Sequence, residues 1–191
     1  MPFYYYYDPT YSLVLIGLLL CLAASARVRS TYAKYGRVRS RSGLTGREAA
    51  DRILRSAGIY DVRIEHVSGN LTDHFDPRNR VLRLSDATYQ SASVAAVGVA
   101  AHECGHAIQH SRGYAPLKIR SAIVPVANFG SAIAWPLILL GLLFNSRSSY
   151  LLIQIGILAF SFAVLFQLVT LPVEFNASRR AVQILGESGM L

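Results

Sequence analysis

The sequence His-Glu-Cys-Gly-His at residues 102–106 decides most of what can be inferred about this chain. In an α-helix, residues four positions apart lie on one face, so His102 and His106 can bind the same metal ion. Glu103 is then placed to take a proton from a metal-bound water. The pattern therefore predicts a zinc site and hydrolysis of a peptide bond by an activated water.

The residues around this motif predict the helix that such a site requires. Residues 93–101 are mostly small and apolar, which lets neighbouring elements approach closely, and Ser91 or Ser93 can cap the helix start. Gly113 indicates a helix end near Ser111. Because buried imidazole and carboxylate groups are costly without a partner, a bound metal ion would satisfy them.

The composition is that of a membrane protein with one modest polar domain. Of 191 residues, 52% are hydrophobic, and the mean hydropathy is +0.33, which is more apolar than an ordinary soluble domain. We attribute the net charge of +8 to membrane topology and contact with anionic lipid headgroups, since no nucleic-acid motif is present. Cys21 lies in an apolar run and Cys104 should point away from the histidines, so neither a disulfide framework nor a thiolate ligand is expected.

Three apolar segments are long enough, or nearly so, to cross a bilayer: residues 9–26, 122–144 and 150–173. Four tyrosines at residues 4–7 precede the first segment and are typical interfacial anchors. The leader before this segment contains Asp8 and no basic residue, so we predict a retained anchor and not a cleaved signal peptide.

The distribution of basic residues predicts the orientation of the chain. Most of the 19 Lys and Arg residues lie between positions 27 and 120, so the positive-inside rule assigns this region to the cytoplasm. The second span then leads out, a short turn at residues 145–149 lies outside, and the third span returns. The chain divides accordingly into an N-terminal membrane anchor (1–26), a cytoplasmic metallopeptidase core (27–121), a transmembrane hairpin (122–173) and a cytoplasmic tail (174–191).

A catalytic zinc ion takes three protein ligands and leaves one position for water, so a third ligand is needed. Glu174 is the best candidate, because an acidic residue at the end of an apolar span is seldom there only for solubility and the predicted topology puts it on the side of the histidines. The alternative is an interfacial charge paired with Arg179 or Arg180. If Glu174 begins a helix, Ser178 lies one turn further on the same face and could hydrogen-bond a ligand.

Asp86 and Glu187 are weaker candidates for the third ligand and remain open. His110 is not expected to bind zinc, because eight residues of helix separate it from His102 by about 12 Å, whereas ligand atoms lie about 2 Å from zinc. The third histidine of the longer metzincin pattern is also missing.

Three stretches of the chain together resemble a known family: residues 71–78 (LTDHFDPR), 93–103 (SVAAVGVAAHE) and 170–175 (TLPVEF). Over nearly its whole length the sequence resembles the YugP-like family of bacterial membrane zinc metallopeptidases and, more distantly, the HtpX-type gluzincins. This combination is much more specific than the His-Glu-x-x-His pattern alone.

The resemblance implies a gluzincin-type zinc metalloendopeptidase in the bacterial inner membrane, with its active site on the cytoplasmic side. His102, His106 and Glu174 would be the metal ligands and Glu103 the base. It further implies another apolar segment after the position of Leu191.

The rest of the polar region is predicted to be α+β. Thr45 and Glu48 form a capping-box pattern, so a helix begins there. Two strand-like stretches, residues 62–67 and 81–84, flank turn residues at 76–79 and predict a β-hairpin. Residues 81–85 are either the edge strand that holds a peptide substrate by strand addition or part of a plain structural hairpin.

Four residues with weaker signals complete the candidate site. Asp73 and His74 precede the turn and could position substrate or polarise its carbonyl group, the alternative being a local hydrogen-bonding role. Arg179 or Arg180 could stabilise the oxyanion, and the sequence does not choose between them.

The expected protein is mainly α-helical, with about three transmembrane helices and a small α+β cytoplasmic zincin-like domain. Its expected cofactor is Zn²⁺, and its expected partners are a protein or peptide substrate and the lipid bilayer, but no nucleic acid. A homo-oligomer or a membrane-protein partner stays open. So does a different class of function, a non-catalytic membrane scaffold or partner-binding protein with a structural metal, which would have four protein ligands and no spare base.

Overall fold

The structure, a computed structural model, describes residues 9–144 and 147–190. The four tyrosines at the start of the chain and part of the predicted outer turn lie outside the described residues. The elements follow in the order α1 (Thr10–Tyr35), α2 (Gly46–Ser56), β1 (Arg63–Val67), β2 (His74–Asp76), β3 (Val81–Ser85), α3 (Asp86–Tyr89), α4 (Val94–Ser111), α5 (Ala115–Leu143) and α6 (Arg147–Ser188).

Three of these helices are long and apolar enough to cross a membrane, namely Thr10–Tyr35, Ala115–Leu143 and Ser149–Ser188. They match the three predicted spans to within one residue at Pro9 and Phe144, and the predicted mainly helical membrane fold is confirmed. Each helix continues beyond the predicted span, because a helix satisfies its own backbone hydrogen bonds and does not have to end at the membrane boundary. The predicted tail is therefore a direct continuation of the third span.

Helices α5 and α6 pack closely because small residues line their contact. A Cβ atom at Gly141 would lie 2.6 Å from Ile153 Cγ1, and one at Gly130 would lie 3.0 Å from the Ala159 carbonyl oxygen. Such contacts let two backbones approach where larger side chains would hold them apart. The outer faces of both helices carry large exposed apolar side chains, as expected of helices that contact lipid.

The sheet confirms a hairpin but corrects its strands. β1 pairs with β3 in parallel, whereas β2, which the sequence did not indicate, pairs with β3 antiparallel. The hairpin is thus β2–β3, and its turn is held by Asp76, which accepts hydrogen bonds from the backbone N–H groups of Arg78 (3.0 Å) and Asn79 (3.2 Å). β2 has three residues, too few for an alternating pattern to be visible in the sequence.

The strand order β1-β3-β2 also changes which strand is at the edge. Residues 81–85 form the central strand, so the prediction that they are an edge strand was wrong. The edge beside α4 is β2, whose Phe75 ring lies 5.8 Å from the ring of His110 on α4.

Helix α4 lies at the centre of the polar region and has the predicted ends. Ser93 accepts a hydrogen bond from the backbone N–H of Ala96 at 3.2 Å, and the helix ends at Ser111. Its small side chains are buried and pack against α2 and α6. Helix α2 begins with the predicted capping box of Thr45 and Glu48.

Candidate metal centre

Two histidines on α4 and one carboxylate on α6 converge on a single point. One Glu174 oxygen, Oε2, lies 3.2 Å from Nε2 of His102 and 3.4 Å from Nε2 of His106. One candidate ligand atom from each of the three residues lies within 4.8 Å of the other two. His106 is buried, whereas His102 and Glu174 are partly exposed, so the cluster is open on one side.

These distances fit a zinc ion. Ligands bonded to tetrahedral zinc at about 2.0–2.1 Å lie about 3.3 Å from one another, close to the observed 3.2 and 3.4 Å. A charge-assisted hydrogen bond would be shorter, about 2.7–2.9 Å. Two imidazoles and one carboxylate also form a donor set that catalytic zinc uses.

A glycine inside the motif lets the third candidate ligand, Glu174, reach the histidines. A Cβ atom at Gly105 would lie 2.7 Å from the carbonyl oxygen and 3.1 Å from the Cα of Ala177 on α6. Because these are backbone atoms, no side-chain rotation could relieve the clash. Gly105 therefore allows direct contact between the two helices, three residues along α6 from Glu174.

A buried glutamine fixes the orientation of His106. The side-chain N–H₂ group of Gln109 donates to the carbonyl oxygen of Val173 at 2.8 Å and to Oδ1 of Asn176 at 3.0 Å. The amide oxygen of Gln109 therefore faces His106, whose Nδ1–H donates to it at 3.0 Å. This assigns the proton to Nδ1 and leaves the Nε2 lone pair directed at the metal position.

Ser178 has the corresponding place beside His102. Its Oγ lies 3.1 Å from Nδ1 of His102 and accepts that N–H when Nε2 faces the metal position. Ser178 is exposed, unlike Gln109. The sequence prediction located Ser178 one turn beyond Glu174, and the structure brings it to the first histidine.

Glu103 lines a cavity of about 710 Å³ together with all three candidate ligands. Burial raises the pKa of Glu103, the carboxylates of Asp73 and Glu174 raise it further, and the two imidazoles act in the opposite direction. A carboxylate base becomes more effective as its pKa approaches the working pH. For His106, burial opposes the charged form, but the nearby carboxylates of Glu174 and Glu103 and the hydrogen bond to Gln109 together outweigh it, so the pKa of this imidazole is raised.

The two residues before the turn also line this cavity, but both have local partners. Asp73 accepts hydrogen bonds from the backbone N–H and the hydroxyl of Ser85, each at 2.8 Å. His74 donates from Nδ1 to the carbonyl oxygen of Thr72 at 2.8 Å, and its Nε2 lies 3.4 Å from Nη1 of Arg83. Their side chains are held at the wall of the site.

The structure does not bring Arg179 or Arg180 to the cavity. At 100° per residue, both point more than about 100° away from the face of α6 that carries Glu174. Arg180 donates instead to Oδ1 of Asn176 at 2.8 Å. The arginines that do line the cavity are Arg78 and Arg120. Arg120, near the start of α5, has Nη1 3.4 Å from Oε1 of Glu174.

The weaker ligand candidates lie elsewhere among the described residues. Asp86 accepts hydrogen bonds from His66 at 2.6 Å and from the N–H of Gly69 at 2.8 Å. Glu187 accepts one from Gln183 at 2.8 Å. Burial raises the pKa of Cys104 and keeps its thiol protonated, in agreement with a packing role.

Sequence reasoning missed Gln109, Arg120 and the steric role of Gly105. Gln109 lies three residues after His106, a helical neighbour, and this spacing could have indicated a contact. Nothing local marks Arg120, because its place depends on how α5 packs against α6.

Comparison with known families agrees with this geometry. The sequence model of a family described as "Putative neutral zinc metallopeptidase" matches residues 10–191. The chain belongs to this family. Zinc is the metal that the family description names.

One curated relative is the "Putative membrane protease YugP" of Bacillus subtilis (strain 168). It is 49% identical over 179 residues, which cover 94% of this chain and 78% of the relative. The predicted resemblance to the YugP-like family is thereby confirmed. No solved structure matches the chain.

Proposed function

We propose that this chain is a membrane-bound zinc endopeptidase of the gluzincin type that cleaves protein or peptide substrates. The observation that carries the proposal is the convergence of His102, His106 and Glu174 on one point, with Glu103 in the same cavity. Family membership supports peptidase chemistry in general. The ligand arrangement supports the gluzincin type, in which a glutamate from a separate helix completes the histidine pair.

Zinc bound by these three residues would polarise the scissile carbonyl group and lower the pKa of a bound water toward about 7. Glu103 takes the proton of the attacking water and later delivers it to the leaving amine. Gln109 and Ser178 hold the two imidazoles with Nε2 directed inward. The guanidinium of Arg120 supplies positive charge to the cavity in which the oxyanion forms.

The same cavity suggests how a substrate is held. β2 is an edge strand and its residues His74, Phe75 and Asp76 line the cavity. A peptide that pairs with this edge gains main-chain hydrogen bonds whatever its side chains. We therefore assign strand addition to β2 instead of β3.

A direct experiment combines metal analysis with peptide cleavage. The purified protein should contain about one zinc per chain and cleave a peptide library, and a chelator should abolish cleavage until zinc is restored. His102→Ala and His106→Ala should lose zinc and activity together, because two remaining ligands bind weakly. Stoichiometric zinc in the double variant, measured by elemental analysis, would refute the ligand assignment.

Zinc without cleavage would instead favour the alternative of a scaffold with a structural metal. Against that alternative, the metal-ligand cluster formed by residues within 9–144 and 147–190 has three members, not four. A structural site has no use for a partly buried carboxylate beside it that is not a ligand.

We further propose that the active site faces the cytoplasm from a multi-pass protein of the bacterial inner membrane. Cysteine labelling tests this in intact cells of a Cys21→Ser background. A cysteine at Ala57, which is exposed, should resist an impermeant thiol reagent, whereas one at Ser148 should react. The reverse pattern would overturn the orientation. Ser40 is unsuitable as a probe because it is buried.

A further inference from the structure

A second cavity, of about 700 Å³, is lined by residues of α1 and α4 together with Leu71 and Asp73, and its lining includes neither β2 nor Arg120. It shares Asp73, His102 and Glu103 with the cavity described above. The two cavities therefore meet at the candidate base Glu103. A peptide whose scissile bond lay there would extend into both cavities.

The walls of the two cavities differ in character. The second cavity is lined mainly by apolar and aromatic groups, among them Tyr32 and Tyr35 of α1 and Val94 and Val99 of α4. The first carries several charged side chains, including Arg120 and Asp76. Apolar walls with a few polar groups are typical of sites that bind an apolar ligand group.

Gly98 has no packing reason to be a glycine. A Cβ atom there would meet nothing within 4 Å, whereas one at Gly105 in the same helix would strike Ala177. Glycine inside a helix costs about 1 kcal/mol relative to alanine. Gly98 lines the second cavity, so the absence of a side chain there leaves room in the cavity for a ligand group.

We propose that this second cavity is the substrate subsite for a large apolar side chain next to the scissile bond, and that Gly98 keeps it open. The inference rests on the proposed peptidase function. Its occupant is a residue of the peptide being cleaved, because Asp73, His102 and Glu103 belong to both cavities. Filling the space at Gly98 should change which peptides are cleaved without disturbing the metal centre.

The first arm of the test measures selectivity with the full chain in detergent and zinc present. Quenched fluorescent peptides carry Ala, Leu or Phe on either side of one cleavable bond. On one side, wild type should prefer Phe or Leu to Ala, and Gly98→Leu should lower the Phe-to-Ala ratio of kcat/KM at least about tenfold. Gly98→Ala should lower it less. Gly186→Leu is the matched control, since a Cβ there also meets nothing within 4 Å and Gly186 is outside this cavity.

The second arm measures occupancy without turnover. A peptide with p-benzoyl-phenylalanine at the preferred position is photo-crosslinked to the Glu103→Gln variant, and the attachment site is found by mass spectrometry. We expect attachment within residues 27–35 or 94–99, with a yield at least about fivefold lower when Gly98→Leu is added. Zinc content and thermal unfolding of each variant show that the fold is retained.

The two arms give different results if the subsite proposal fails and if the peptidase proposal fails. Crosslinks confined to other regions, or an unchanged Phe-to-Ala ratio in a folded and active Gly98→Leu protein, overturn the subsite. If the Glu103→Gln variant crosslinks at the expected residues but the wild-type chain cleaves no peptide, the subsite is retained and the peptidase function is removed.

Discussion

Helices α4 and α6 both contribute to the candidate metal centre, but they are stabilised by different surroundings. The apolar residues of α4 are small, and Ala100, Ala101 and Cys104 are fully buried within the protein. Along the apolar span of α6 the apolar residues are large and exposed, as in Leu158 (59% exposed) and Leu168 (58%), so they require a bilayer. Beyond Glu174, Ala177, Ala181 and Leu185 of the same helix are buried in the core. The site thus joins a helix held by the protein core to the end of a span that requires a bilayer.

The difference extends to the groups that orient the two histidines. His106 is held by Gln109, a buried neighbour on its own helix, whereas His102 is held by Ser178, an exposed residue of α6. Gln109 is itself fixed by Val173 and Asn176 of α6, so both orienting contacts depend on the docking of α6. The two contacts differ in burial, because the Gln109 side chain is buried and Ser178 is exposed.

The largest expected effect separates the base on α4 from the ligand on α6. Glu103→Gln keeps the size of the side chain but cannot accept the water proton, so turnover should fall about 10²–10⁴-fold with zinc retained. Glu174→Gln removes a charged ligand, so zinc affinity should fall first and excess metal should partly restore activity. Zinc titration and kcat measured on both variants test this. Loss of zinc from Glu103→Gln alone would reverse the two roles.

A smaller effect should distinguish the two orienting groups. Gln109→Leu leaves the Nδ1–H of His106 and the oxygen of Asn176 without their buried partner, so zinc affinity should fall about 10–100-fold. Ser178→Ala should cost less, because water can replace an exposed hydroxyl. Competition with a chromogenic zinc chelator gives both affinities. Equal losses would mean that burial of the orienting group makes no difference to zinc affinity.

The smallest expected effect concerns the contact between the helices. Gly105→Ala forces a Cβ atom against the backbone of Ala177 and should destabilise the protein by about 1–3 kcal/mol. Gly98→Ala, in the same helix, meets no neighbour and should stabilise it by up to about 1 kcal/mol. Denaturant unfolding in detergent measures both. Similar free energies of unfolding for the two variants would show that α6 does not pack against α4 at Gly105.

The features that could be predicted from the sequence were those that depend on residues close together in the chain. The ends of α4, the capping box at Thr45 and the three apolar helices each follow from neighbouring residues in the chain. Glu174 was also identifiable, because its charge stands at the end of an apolar run. The position of Arg120 and the parallel pairing of β1 with β3 were not, since both depend on contacts between segments whose approach no local pattern encodes.

Helix α6 continues through Pro172 to Ser188, so the candidate ligand Glu174 lies on the same helix as the third apolar span. Glu174 lies about 27 Å along the helix from Gly156, where α6 is pressed against α5, so a tilt of about 2° there displaces its carboxylate by roughly 1 Å. Transmembrane helices adjust their tilt to the thickness of the surrounding bilayer. A change in the tilt of α6 would therefore change the distance from the Glu174 carboxylate to the two histidines.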